Sequence, residues 1–350
     1  MRALTLLGFL PLLALLPSVI GAMDESSYKN LAVSRGFNYH YYTSPAQSGK
    51  PTVFFVHGFG IGSKDWRNQV DFFAGKGYGI VAPDMLGYAG SAVANGVDPS
   101  TLKYSLLAKD VLEIMKAEKL NKTIFVGQGG GSPIISRIAQ LYPDQVQGAA
   151  FLSVPYYPPN PTFDYTKELA REKQAYGHEL LGFMDFYAND AAVIKLVANH
   201  FDAFFTITYP EDPKSWSTMF GPLGELRKYI VSGTVLPFPT WFPSANDAQF
   251  QYDNLKNQGR KDPFAYYKAI ISGLQAEDDK AVPLNRYNIT KPVFFGAALD
   301  DYVSLPNEAK ALTQRYCKNA VIHDFKANHW VHLQVPGQVN DELLKWIQGL

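Results

Sequence analysis

Short apolar runs bounded by turn residues alternate along most of this chain with stretches of helical spacing, and that rhythm restricts its fold more than any other feature. Strand runs are expected at Thr52–His57, Gly79–Ala82, Thr123–Gly127, Gln147–Val154, Pro292–Ala298 and Ala320–Phe325. Helices are expected at Leu102–Leu120, Pro133–Tyr142, Asn307–Tyr316 and Val339–Ile347. Strands that alternate with helices form βαβ units and a parallel sheet. Leu31–Thr43 alternates in polarity instead, as an antiparallel edge pair does.

The rhythm breaks between Pro155 and about Asn288. Pro, Trp, Tyr and Phe are dense there, and FMDFYANDAAVIKLVANHFDAFF and LGELRKYIV have helical spacing. The run YYPPNP opens the segment like a linker. The expected layout is a core at 23–155 and 288–350, with a helical cap at 156–287. Ligands of such sheets bind beyond the carboxyl ends of the strands, so a cap there roofs a pocket.

The N-terminus has Arg2, an apolar run from Leu4 to Ile20, then Gly21 and Ala22. This is the pattern of a signal peptide cut after Ala22. Pro11 and Pro17 interrupt the run, and it is short for a membrane span. A secreted or vesicular location is therefore expected, with membrane association only through an uncleaved leader. The acceptor sequons Asn121-Lys-Thr123 and Asn288-Ile-Thr290 make Asn121 and Asn288 candidate glycosylation sites on that route. The single cysteine, Cys317, excludes an internal disulfide framework. A net charge of zero advertises no basic face for nucleic acid or anionic lipid.

Four local signatures follow one another. They are Val56-His57-Gly58-Phe59-Gly60, then Pro83-Asp84-Met85-Leu86-Gly87-Tyr88, then Gly127-Gln128-Gly129-Gly130-Gly131-Ser132, and finally Asp300-Asp301-Tyr302-Val303 with Asn328-His329-Trp330. In this order and spacing they resemble the epoxide-hydrolase branch of the α/β-hydrolase family, over about residues 30 to 350. In the cap, HFDAFFTITYPEDPKSW looks closest to fungal members of natural-product pathways. The resemblance implies an α/β fold with a mostly parallel eight-stranded sheet, helices on both faces and an inserted helical cap. It implies neither cofactor nor metal, and a small apolar epoxide or polyene as the substrate.

In that family a sharp strand-to-helix turn presents an Asp nucleophile, a His–Asp pair activates water, and two cap tyrosines hydrogen-bond the opening epoxide oxygen. By resemblance the acid is Asp301, with Asp300 as its near rival, and the base is His329. His323 and His332 are read as surface or packing residues. The oxyanion donors match the amides of Phe59 and Gly130. Gly60 stands where the family has Pro, which predicts a looser loop. Asp84 fits a structural turn. In the stretch Asp262-Pro-Phe-Ala-Tyr-Tyr267-Lys268, Tyr267 matches one activating tyrosine. The other position reads Gly177-His178-Glu179-Leu180, so His178 replaces it, with Tyr176 as a substitute nearby.

The main departure is the elbow. Gly129 stands where the family carries its nucleophile, so no ester can form there. Ser132, three residues on, fits a small packing residue better than a replacement. Three outcomes remain: a non-catalytic relative that binds or scaffolds, direct attack by water held on His329, or a substrate that brings its own nucleophile. A well-oriented internal hydroxyl has an effective molarity of about 10⁵–10⁸ M, on the order of 7–11 kcal/mol of barrier. That is comparable to what an Asp contributes. The retained Asp301 and His329 favour an enzyme that opens an epoxide, with cyclic-ether formation or hydrolysis as its result. A non-redox cyclase of the pericyclase kind, using only the shaped pocket, is the alternative enzyme reading.

Overall fold

The computed structural model describes residues 23–60, 62–91, 93, 96–242, 247–249 and 263–350. The leader at 1–22 and Asp262 lie outside the described residues. The strands are β1 (Tyr28–Ala32), β2 (Asn38–Ser44), β3 (Thr52–Val56), β4 (Gly79–Pro83), β5 (Thr123–Gln128), β6 (Val146–Leu152), β7 (Val293–Ala298) and β8 (Ala320–Phe325). They form one eight-stranded sheet in the order β1-β2-β4-β3-β5-β6-β7-β8. Only the β1–β2 and β2–β4 pairings are antiparallel; from β4 to β8 the sheet is parallel.

The core helices are α1 (Arg67–Gly75), α2 (Tyr104–Ala117) and α3 (Gly131–Leu141). Between β6 and β7 come α4 (Tyr165–Tyr176), α5 (Phe183–Asn189), α6 (Val193–Asn199), α7 (Phe201–Thr208), α8 (Glu225–Ser232), α9 (Ala265–Ile271) and α10 (Leu274–Asp279). The chain closes with α11 (Pro306–Tyr316), α12 (Val331–Gln334) and α13 (Pro336–Gln348).

The apolar strand runs follow from burial on both faces. In β3, Phe54 and Val56 pack with Leu107, Val111, Ile134 and Ile138 of α2 and α3. Val53 and Phe55 point the other way, to Val70 and Phe73 of α1 and Leu343 and Trp346 of α13. The segment between β6 and β7 has its own aromatic cluster, including Phe183, Phe186, Phe204, Trp216 and Phe264.

This segment is pinned to the core by buried polar contacts. Arg137 of α3 is paired with Asp279 of α10 and donates to Gln140, which reaches the Tyr157 carbonyl. Asp279 also accepts from the Asn160 amide at 2.6 Å. Asp278 accepts from the Ser105 amide at 2.9 Å, and Gln275 bridges the Tyr104 amide and the Leu102 carbonyl.

Candidate active site

The site is assembled from loops at the carboxyl ends of β3, β5, β7 and β8. After β5, Gly129 takes a left-handed conformation, φ +52°, and α3 begins two residues later. Ser132 donates its amide to the Gly129 carbonyl at 3.0 Å, which closes the turn. This is the sharp elbow the motif predicts, with no side chain at its apex. A Cβ built on Gly129 would stand 3.3 Å from His329 Nε2. A nucleophile at this position would therefore face the base.

His329 follows β8. Its Nδ1 lies 2.6 Å from Asp301 Oδ2. The other Asp301 oxygen accepts the amides of Val303 and Ser304, both at 2.9 Å. Asp301 is buried and held at both oxygens, so it fixes the ring with Nδ1–H toward the carboxylate and Nε2 toward Gly129. Asp300, its rival in sequence, turns outward to Lys326 at 2.6 Å. Two side chains that sequence reasoning missed hold the His329 main chain: its carbonyl accepts from Gln128 Nε2 at 3.0 Å and Ser153 Oγ at 2.5 Å. Ser153 itself is left-handed, φ +65°, a strained conformation for a non-glycine residue. Gln128 sat inside the elbow motif, and Ser153 sat at the end of a strand run, but neither pattern signals a bond to a distant carbonyl. Trp216 lies 5.5 Å from the imidazole ring, and the Trp330 indole donates to the Thr208 carbonyl.

The loop after β3 carries Phe59. His57 is buried and spans the loop, pairing with the Gly58 carbonyl at 2.7 Å and accepting the Met85 amide at 2.8 Å. Burial holds its pKa below the usual range, so it is a neutral strut. A Cβ on Gly58 would be 2.6 Å from the Gly130 nitrogen, which brings the two oxyanion-loop backbones together. A Cβ on Gly60 would run into the buried Asp65 carboxylate, so no side chain fits there without a shift. Asp84 takes the structural place expected of it, accepting from His40 Nδ1 and from the Ser63 and Gly90 amides. Burial pushes its carboxyl up, but these hydrogen bonds outweigh that and leave the pKa lowered.

A cavity of about 570 Å³ joins these groups to the helices between β6 and β7. Gly58, Phe59, Gly129, Gly130, His329 and Tyr267 all line it. Tyr267, on α9, packs against Phe59, Phe183 and Tyr187. Burial pushes its hydroxyl pKa up, so it stays protonated and able to donate. The hydroxyl of its neighbour Tyr266 is already bonded to the Leu86 carbonyl.

His178 is not among the residues that line the cavity. Gly177 ends α4 in a left-handed conformation, φ +83°, and the wall beyond it is made by Leu180 and Leu181. Tyr176 does line the cavity, with the Arg171 guanidinium over its ring. Ser132 is buried in the first turn of α3 and does not line the cavity. His323 lies 3.5 Å from Glu342 near the surface. His332 is buried against Trp66, where burial and then the nearby His329 push its pKa down to about 3. Asn121 and Asn288 are both exposed. Among the described residues no cluster of His, Cys, Asp and Glu is placed to hold a metal ion.

A profile of the alpha/beta hydrolase fold matches residues 51–336. Bifunctional epoxide hydrolase 2 of Sus scrofa is 24% identical over 300 residues, covering 85% of this chain and 51% of that protein. The chain thus spans about half the length of this curated relative. Epoxide hydrolase srdG of Neurospora crassa is 23% identical over 340 residues, covering 90% of this chain and 93% of that one. The solved structure of an epoxide hydrolase from an endophytic Streptomyces superposes with a TM-score of 0.78 at 22% identity, over 92% of this chain and 95% of that one. With its sheet order, its elbow and its His329–Asp301 pair, the chain belongs to the α/β-hydrolase fold family.

Proposed function

We propose that this protein opens an epoxide by general acid–base chemistry, without a covalent enzyme intermediate. The observation that carries the reading is the orientation of His329: Nδ1 rests on Asp301, and Nε2 faces open space above a glycine. A base held this way has no enzyme nucleophile to serve. It serves a hydroxyl of the substrate. His329 takes the hydroxyl proton as that oxygen attacks an epoxide carbon, the epoxide C–O bond breaks, and Tyr267 hydrogen-bonds the oxygen as it becomes an alkoxide. The alkoxide is protonated and His329 releases its proton, both through solvent, and the product is a cyclic ether that bears a hydroxyl. Water attack is the second reading, favoured by the 3.3 Å from Nε2 to the missing Cβ, close to the reach of a held water. The substrate class is an apolar natural-product epoxide, of polyketide or terpenoid type, for which the aromatic-lined cavity is suited. The leader and the exposed Asn121 and Asn288 support a glycoprotein of the secretory route.

The test is a hydroxy-epoxide turned over in ¹⁸O-labelled water. Unlabelled cyclic ether is the expected product, and labelled diol supports the water reading. His329→Ala should lower kcat/KM by about 10²–10⁴-fold, and Tyr267→Phe by about 10²-fold through loss of one donor. Both variants matching wild type on every substrate turned over would sink the acid–base account. Tight ligand binding without turnover would favour the scaffold reading.

A further inference from the structure

Four glycines of the elbow and its facing loop differ in why they are glycine. A Cβ on Gly58 would meet the Gln128 carbonyl at 2.6 Å, one on Gly131 would meet the Val56 carbonyl at 2.1 Å, and one on Gly127 would meet the Gly131 backbone at 2.9 Å. Backbone fills the space at these three. A Cβ on Gly129 would meet only His329 Nε2 at 3.3 Å and Gly58 Cα at 3.9 Å. Close packing therefore does not require a glycine at 129. Its absent side chain leaves a hollow that opens into the cavity, with the imidazole on one side and the loops of Phe59 and Gly130 on the other.

We propose that this hollow binds a carboxylate, and that for an epoxide with no internal hydroxyl the bound carboxylate supplies the nucleophile the chain lacks. An oxygen near the absent Cβ lies within hydrogen-bond reach of Nε2. A planar anion with two oxygens can engage Nε2 with one and the Phe59–Gly130 loops with the other, which a halide cannot. The acid brings its own proton, donated from its O–H to Nε2, while Nδ1 rests on Asp301. The carboxylate is either a free small acid or one borne by the substrate. The nucleophilic half of the proposal rests on the epoxide-opening reading; the binding half does not.

The covalent step balances without any co-reactant beyond water. As His329 takes the acid's proton, a carboxylate oxygen bonds to an epoxide carbon, the epoxide C–O bond breaks, and the alkoxide, hydrogen-bonded by Tyr267, takes that proton from Nε2. With a free acid the product is a hydroxy-ester. His329 then takes a proton from water, the hydroxide adds to the acyl carbon, the acyl C–O bond breaks, and the departing alkoxide takes the proton from Nε2 to release diol and the acid. With a substrate-borne carboxylate the first step gives a hydroxy-lactone.

The experiment uses the full chain and formate as the probe. Formate titrated against ¹⁵N-histidine-labelled protein should shift the His329 resonances saturably, and His329→Gln assigns the signal. Turnover of a simple epoxide in unlabelled water with ¹⁸O-formate should rise saturably, about tenfold or more, and leave one ¹⁸O in the diol. An epoxy acid reacting faster than its methyl ester, to a lactone, identifies the substrate as the source; equal rates identify the free acid. An unmoved His329 signal at saturating formate overturns the site. A moved signal with unlabelled diol overturns the nucleophilic role. If no epoxide reacts with or without formate, the epoxide-opening reading fails, while the His329 shift still decides the site. Gly129→Ala fills the hollow and should abolish both effects, and the wild-type shift keeps the proposal testable if that variant does not fold.

Discussion

Gly129 and Gly131 are two residues apart and should respond oppositely to the same methyl group. Gly129→Ala needs only a small retreat of His329 and tolerance of a left-handed φ, a cost of about 1–2 kcal/mol. Gly131→Ala drives a methyl into the Val56 carbonyl and should cost about 3 kcal/mol or more. Urea midpoints of the two variants check this, and equal losses would contradict the open hollow. Gly129→Asp should place a carboxylate in line with Nε2, and intact-protein mass spectrometry after mixing with an epoxide should then show an ester adduct that wild type lacks. Ser153 makes a quieter case. Its strained backbone presents Oγ to the His329 carbonyl, so Ser153→Ala should lower kcat by about tenfold through misplacement of the base. An unchanged kcat would mean that Gln128 alone holds the loop.

At the scale of elements, the root of the β6–β7 insertion is electrostatic. Arg137 and Asp279 are both buried, and removing one partner strands the other charge. Arg137→Met should therefore destabilise the protein by about 3–5 kcal/mol, read from denaturant unfolding, while Arg137→Met with Asp279→Leu should recover part of the loss. The strands of the core were legible because burial on both faces demands unbroken apolar runs: Thr52–Val56 and Thr123–Gln128 fall within a residue of their expected bounds. The elbow and the His329–Asp301 pair were legible because each is set by a few consecutive residues at a strand end. The insertion was less so. Its helices show in the spacing, but which face meets the cavity depends on how they pack. His178 matched a local motif, yet the left-handed turn at Gly177 brings Leu180 and Leu181 to the cavity wall instead. Trp216 reaches His329 from a π-helical turn at Trp216–Phe220 that no simple periodicity encodes. The Arg137 network joins residues far apart in sequence, and nothing local announces it.

Across the whole molecule, the buried histidines should contribute to a loss of stability in acid. His332 has a folded pKa of about 3 against an ordinary 6.5, and His57 is shifted in the same direction. Above pH 6.5 both states leave His332 neutral and its contribution to stability is fully present. As the pH falls below 6.5, the unfolded chain takes up a proton that the folded chain refuses, so stability declines toward pH 3, by up to about 1.4 kcal/mol per pH unit for one such group. His332→Phe should flatten the fall in urea midpoint between pH 7 and pH 5, and a parallel fall in both proteins would assign the acid sensitivity elsewhere. The polar root has a consequence for chimeras. A graft exchanging residues 155–288 between relatives discards Asp278 and Asp279 and leaves Arg137 without its carboxylate partners. A graft exchanging only 161–273 keeps Asn160, Gln275, Asp278 and Asp279 on their native contacts. Recombination breakpoints inside those joints should yield soluble hybrids with new pockets over an unaltered floor, and breakpoints outside them should not.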